Sequence, residues 1–188
     1  MKDRSPFHPA LLAPIAALLL MSGCAAIDKL TCDMHESSTR GMKPVTTYAY
    51  IAPRAGQPSP RPLPRGSVPH VSTYTMTFKP GFTKPCSTLT LYKDVALERS
   101  DDTDNVLTEI REFYAEDGTL ITSYTQDITA QTMKSGVYVA TTPLPVPKSA
   151  PPGKYKIVSK LLFEKHGSRR PAIQLARAEG FFYIIPMQ

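Results

Sequence analysis

Three short stretches carry residue types that could do chemistry. In "CDMH", Cys32 and His35 form the close Cys/His pair of the chain. Zinc needs three or four ligands in tetrahedral reach, and His8, His70 and His166 are scattered, so no metal site is expected. In "ERSDDTD", Glu98 to Asp104 crowd carboxylates together. The run lacks the glycine and terminal bidentate glutamate of a calcium loop and reads as a solvated connection between elements, with weak Ca²⁺ binding as the lesser alternative. Cys86 follows Lys84-Pro85, where a nearby cation lowers a thiol pKa, but no general base accompanies it. Neither a G-x-S-x-G elbow nor a phosphate-cradling glycine loop is present. The chain is therefore expected to be non-enzymatic and to need no cofactor.

Binding residues are easier to nominate than catalytic ones. In "GKYKIVSKLLFEK" the apolar and small positions Tyr155, Ile157, Ser159, Leu161 and Phe163 alternate with Lys154, Lys156, Lys160 and Glu164. Such alternation puts one face in a core and the other in water. Lys154, Lys156 and Lys160 thus form a basic face. Alternation must also turn at least one member of Phe181-Phe182-Tyr183 outward, and Phe182 is grouped with the three lysines as the candidate binding set. A plain solvated face is the competing reading. The net charge of +6 favours anionic partners.

The elements that hold these residues read as strands. Runs rich in Thr, Tyr, Val, Ile and Phe recur at 71–78, 87–97, 106–115, 119–128, 136–142, 153–165 and 172–185, each bounded by Pro, Gly, Asp or Ser. Asp117-Gly118 lies between two of them and predicts a hairpin with a type I′ turn. "DDTDNVLTEIREF" could instead open a short helix. Residues 143–153, "PLPVPKSAPPG", read as a proline-rich connection. Upstream, "PVTTYAYIA" has strand character, and the prolines and arginines of residues 53–70 predict an extended spacer.

About seven strands with turns at moderate spacing predict an all-β fold. The region 71–188 resembles immunoglobulin-like or fibronectin-like antiparallel β-sandwiches, or a transthyretin-like one. The likeness lies in strand count and in "PPGKYKIVSKLLF", a Pro/Gly turn followed by a tyrosine opening a long strand. The core tryptophan and intersheet cysteines common in such domains are missing.

The amino-terminal end carries an address. Lys2 and Arg4 precede an apolar run from Ala10 to Met21, short for a membrane span and suited to an export signal. Leu20-Met21-Ser22-Gly23-Cys24 resembles the lipobox of bacterial lipoproteins. The resemblance implies cleavage before Cys24, acyl chains on that cysteine, and stable membrane anchoring. Ala25 rather than Asp after the cysteine implies sorting to the outer membrane, on its periplasmic face. That compartment is oxidising, which makes Cys32 and Cys86 a natural disulfide pair.

The expected organisation is a lipoprotein signal at 1–23, a lipidated tail and Pro-rich spacer at 24–70, and a sandwich at 71–188. The expected role is an accessory or adaptor subunit of an envelope complex for secretion, transport or assembly. A glycan- or peptidoglycan-binding module is the alternative. Partners would be the membrane, through the lipid, and an envelope protein or cell-wall glycan; nucleic acid is not expected there.

Overall fold

The structure, a computed structural model, describes residues 30–53 and 59–187. The signal, the lipobox and Cys24 lie outside the described residues. Among the described residues nine strands form two sheets: β1 (Thr47–Ile51), β2 (His70–Lys79), β3 (Phe82–Thr83), β4 (Ser87–Glu98), β5 (Asn105–Tyr114), β6 (Leu120–Asp127), β7 (Gly136–Val146), β8 (Gly153–Lys165) and β9 (Ile173–Ile184). One sheet has the order β1-β7-β4-β2 and the other β3-β9-β8-β5-β6. Every pairing is antiparallel except β3 with β9.

This connectivity is that of an immunoglobulin-like sandwich. The strand pair β4-β7 centres one sheet and β9-β8-β5 centres the other, with the chain crossing between sheets from β2 to β3, β3 to β4, β4 to β5, β6 to β7 and β7 to β8. The tyrosine noticed in the sequence forms the corner typical of such folds, because the Tyr155 hydroxyl donates to the Pro151 carbonyl at 2.7 Å. All seven predicted strands are present, and two short ones are added. β3 splits from β2 across the turn at Pro80-Gly81 and crosses to the opposite sheet beside β9. β1 occupies the edge next to β7, pairing Thr47 with Thr141 and Ile51 with Val137. The sandwich therefore begins upstream of Val71 and includes the strand-like "TYAYI".

Asn105–Tyr114 is strand throughout, as the 106–115 run predicts, and not the alternative helix, because Asn105, Leu107, Glu109 and Arg111 alternate inward. Three other local features differ from the sequence reading. The Asp117-Gly118 hairpin forms, yet only Gly118 has positive φ (86°), and its N–H donates to the Ala115 carbonyl at 3.1 Å. That is a type I turn with a glycine bulge, not type I′. β7 runs on through Pro143 and Pro145 rather than stopping at Thr142, since beyond Thr141 no strand among the described residues pairs on its outer side and a missing N–H is harmless there. Finally, residues 30–39 are helical, an element too short to announce itself by periodicity.

The helix is fastened to the sandwich by the Cys32–Cys86 disulfide, with Cα atoms 4.9 Å apart. Lys148 adds a side-chain contact to Asp33 at 3.3 Å and a backbone N–H to Glu36 at 3.2 Å. Gly180 lets β9 approach β2, because a Cβ there would lie 2.7 Å from the Phe78 ring. The bridge closes a separation of 54 residues, which by chain entropy stabilises the fold by about 4 kcal/mol. Replacing Cys32 and Cys86 together by serine is expected to lower the unfolding free energy by roughly 3–4 kcal/mol, read by urea denaturation of oxidised protein against the variant.

Candidate functional site

A cluster of ionisable side chains lies inside the sandwich. On β4, Lys93 keeps phase with Leu89, Leu91, Val95 and Leu97 and points inward. On β5, Glu109 and Arg111 follow Leu107 in the same way. All three side chains are at most 1% exposed. Lys93 Nζ donates to Glu109 Oε1, Ser159 Oγ donates to the same oxygen at 2.7 Å, and the Tyr48 hydroxyl donates to Oε2 at 3.1 Å. Tyr74 and Ser159 share a 2.7 Å hydrogen bond. Arg111 Nε is 3.9 Å from Glu109 Oε1, and Arg111 Nη2 donates to Gln126 Oε1 at 3.1 Å.

These groups form a polar layer across the sandwich. One apolar cluster, with Val95, Leu107, Tyr138, Leu161 and Phe163, lies on one side of it. The other, with Leu89, Leu91, Leu144, Ile157 and Phe182, lies on the other side. Burial drives the charge states. It holds the Lys93 ammonium well below the ordinary lysine range, and Arg111 pushes the same way. It raises the Tyr48 phenol and pushes Tyr74 up to about 12, so both remain protonated donors. Such a layer, sealed from solvent, orients strands rather than substrates.

The acidic run at Glu98–Asp104 also has structural work. Glu98 Oε1 accepts from Arg61 N at 3.2 Å, Asp101 pairs with Arg65 at 3.4 Å, and Asp102 accepts from Gly66 N at 2.6 Å. The acids thereby hold the proline-rich segment against the end of β4. The Gly66 N–H and then the Ser100 hydroxyl keep the Asp102 carboxyl below its usual range. No group of three metal-binding side chains occurs among the described residues. Cys86 is tied up in its disulfide and is no free nucleophile, while His35 Nε2 lies 3.3 Å from Thr88 Oγ1.

The nominated binding set divides. Lys154, Lys156 and Lys160 lie on the outer face of the five-stranded sheet. Phe182 does not: it is 6% exposed, stacked on Tyr155 at 5.4 Å and packed on Phe78 at 5.3 Å. Its neighbours Phe181 and Tyr183 are the outward ones, 45% and 50% exposed. Lys154 Nζ sits 4.3 Å from the centroid of Phe181, and Lys156 Nζ 4.9 Å from that of Tyr114. Lys160 instead pairs with Glu112 at 2.7 Å, which holds the Glu112 carboxyl below its usual range.

A second exposed feature was not anticipated. Gln126 of β6 bonds both backbone groups of Thr46, the residue ahead of β1, at 2.8 and 2.7 Å, and the Thr46 hydroxyl meets that of Thr142 on β7 at 2.7 Å, so β6 and β7 are linked there through Thr46. Further along they part, leaving a groove of about 520 Å³ lined by Met42, Phe113, Ile121, Tyr124, Leu144 and Pro145. Glu36 of the helix and Arg40 just beyond its end flank it. The alternation of Phe113 with Arg111 was visible in the sequence; the helix that walls the groove was not.

No family model and no curated protein matches the chain. Solved structures similar to it include the CARDB domain of a Pyrococcus furiosus protein in complex with di-metal ions, 14% identical, covering 64% of this chain and 96% of that one, with a TM-score of 0.37. The ASH/PapD-like domain of human CEP192 is 12% identical and covers 74% and 96%, with a TM-score of 0.36. A family 123 glycoside hydrolase from Clostridium perfringens is 10% identical and covers 64% and 27%, with a TM-score of 0.34. Likeness at this level transfers no metal, ligand or activity.

Two outcomes follow from these contacts. Glu109→Gln leaves Lys93 and Arg111 without a counter-charge and is expected to cost roughly 3–5 kcal/mol in urea denaturation. Lys93→Met is expected to cost less than half as much, since Arg111 still faces Glu109; equal losses would refute a carboxylate-centred layer. The Asp102 contribution is present above the ordinary carboxylate pKa and is lost as pH falls through its depressed folded value. Amide exchange at Gly66, corrected for intrinsic rate, should therefore accelerate on acidification. Asp102→Asn should give the fast rate already at neutral pH.

Proposed function

We propose that this chain is an outer-membrane-anchored periplasmic lipoprotein acting as a non-enzymatic accessory subunit of an envelope complex, and that it grips a protein partner in the groove between β6 and β7. The groove is the observation that carries this reading. It joins exposed apolar surface, with Ile121 54% and Met42 56% exposed, to strand β6, which among the described residues pairs only with β5. A free edge offers backbone hydrogen bonds to an added strand, and adjacent pockets select its side chains. The ionisable groups best placed for chemistry are meanwhile sealed in the core, which supports binding over catalysis.

Anchoring rests on the lipobox resemblance at residues 20–24. Two measurements test the whole. Protein extracted from envelopes should begin at Cys24 and carry the added mass of acyl chains; an unmodified or different terminus would remove the anchor. A photo-crosslinking amino acid at Thr122 in intact cells should give one discrete protein adduct, absent when the same group replaces Thr90 on the other sheet. Adducts with cell-wall fragments alone would favour the glycan-binding module instead.

A further inference from the structure

We infer that one end of the five-stranded sheet is a second membrane contact, a flat aromatic and lysine surface that seats on anionic phospholipid headgroups. The orientation rests on the lipid-anchor reading above; the surface itself rests on the fold.

Register builds the surface. Phe82 pairs with Tyr183 and Tyr183 with Lys154, so these three side chains share one row on the outer face. The next row is Phe181, Lys156 and Tyr114. Phe82, Phe181 and Tyr183 are 59%, 45% and 50% exposed, more aromatic surface than an isolated surface residue presents. The two lysines lie over aromatic rings, and neither has a carboxylate within ion-pair distance among the described residues. Lys160 and Arg177, farther along the same face, are neutralised by Glu112 and Glu179. Glu116, at the hairpin rim, is drawn toward the Lys154 backbone N–H at 3.5 Å. Aromatic rings beside unpaired lysines are the composition that suits a membrane interface, the rings at headgroup depth and the cations on anionic lipid.

Chain length points this end at the bilayer. The Thr83 hydroxyl meets the Ser87 hydroxyl at 2.5 Å, which sets the aromatic rows level with the start of β4. Cys86 and its bridge to Cys32 lie at that same end. Cys24 stands eight positions before Cys32, a reach of at most about 28 Å. β4 has 12 residues and runs about 40 Å, so the opposite end of the sandwich cannot be the end held nearest the lipid. Leu30 and Met34, one helical turn apart and 63% and 62% exposed, add apolar side chains beside the clip.

The test uses an oxidised chain beginning at Ala25, which retains the whole sandwich, both of its apolar clusters and the disulfide, and lacks any acyl group. It should co-sediment with vesicles of mixed phosphatidylglycerol and phosphatidylcholine and not with phosphatidylcholine alone, and added salt should release it. Lys154→Gln with Lys156→Gln should weaken binding about 25-fold, a factor of about five for each lysine. Phe181→Ser with Tyr183→Ser should also weaken it, while Arg169→Gln with Arg170→Gln, at the far end, should not. Absence of binding to the anionic vesicles, equal loss with the far-end pair, or preference for isolated peptidoglycan would overturn the proposal. An acylated Cys24 in cells together with no vesicle binding would sink this surface alone. Vesicle binding with an unacylated native terminus would sink the anchor and leave the surface standing.

Discussion

The Glu109 carboxylate is the interaction on which the sandwich turns. It lies on β5 in one sheet and takes a donor from β4 in the other, from β8 beside it and from β1 at the far edge. Apolar alternation already fixes which face each strand buries; the carboxylate adds directional bonds that tie specific residues of the two sheets together. A buried carboxylate that must collect Lys93, Ser159 and Tyr48 allows one alignment, and a slip of one residue would send those donors to the outer faces. The polar layer divides the core into two apolar clusters, each of which packs in place once the layer is formed.

Much of the fold was legible because alternation is a direct consequence of the strand backbone. The β8 pattern from Tyr155 to Phe163 marked the core face, and the tyrosine after Gly153 pointed to an immunoglobulin-like sandwich while leaving a transthyretin-like one open; the strand order decides for the former. Lys93, Glu109 and Arg111 were passed over for a physical reason: composition marks them as surface residues, and only their phase with Leu91, Val95 and Leu107 marks them as inward. Phase was equally the error at Phe182. Three adjacent aromatics guarantee that some face outward, but which ones depends on register with Tyr155, and that register puts Phe182 inside. The prolines of β7 misled because a proline ends a strand only when its missing N–H is needed; at an unpartnered edge it is not.

The edges show how the fold manages exposed backbone. β2 closes one side, packing Phe78 over Gly180 of β9. On the other side, β1 covers only the first half of β7, and the second half carries Pro143 and Pro145, which weaken it as a template for aggregation. β6, opposite, has no strand along its outer side among the described residues. The asymmetry leaves one open edge next to one apolar groove, a narrower invitation than an exposed sheet would be.

The Cys32–Cys86 bridge also determines where force would run. A pull on the chain ahead of Cys32 does not travel through the helix, β1 and the proline-rich crossing in turn. It passes through the two sulfur atoms into the first residue of β4, a strand flanked on both sides by β2 and β7. The whole loop between the cysteines is left slack. Because both neighbours must shear before β4 yields, the sandwich meets tension from its amino-terminal side with an interior strand in place of an edge.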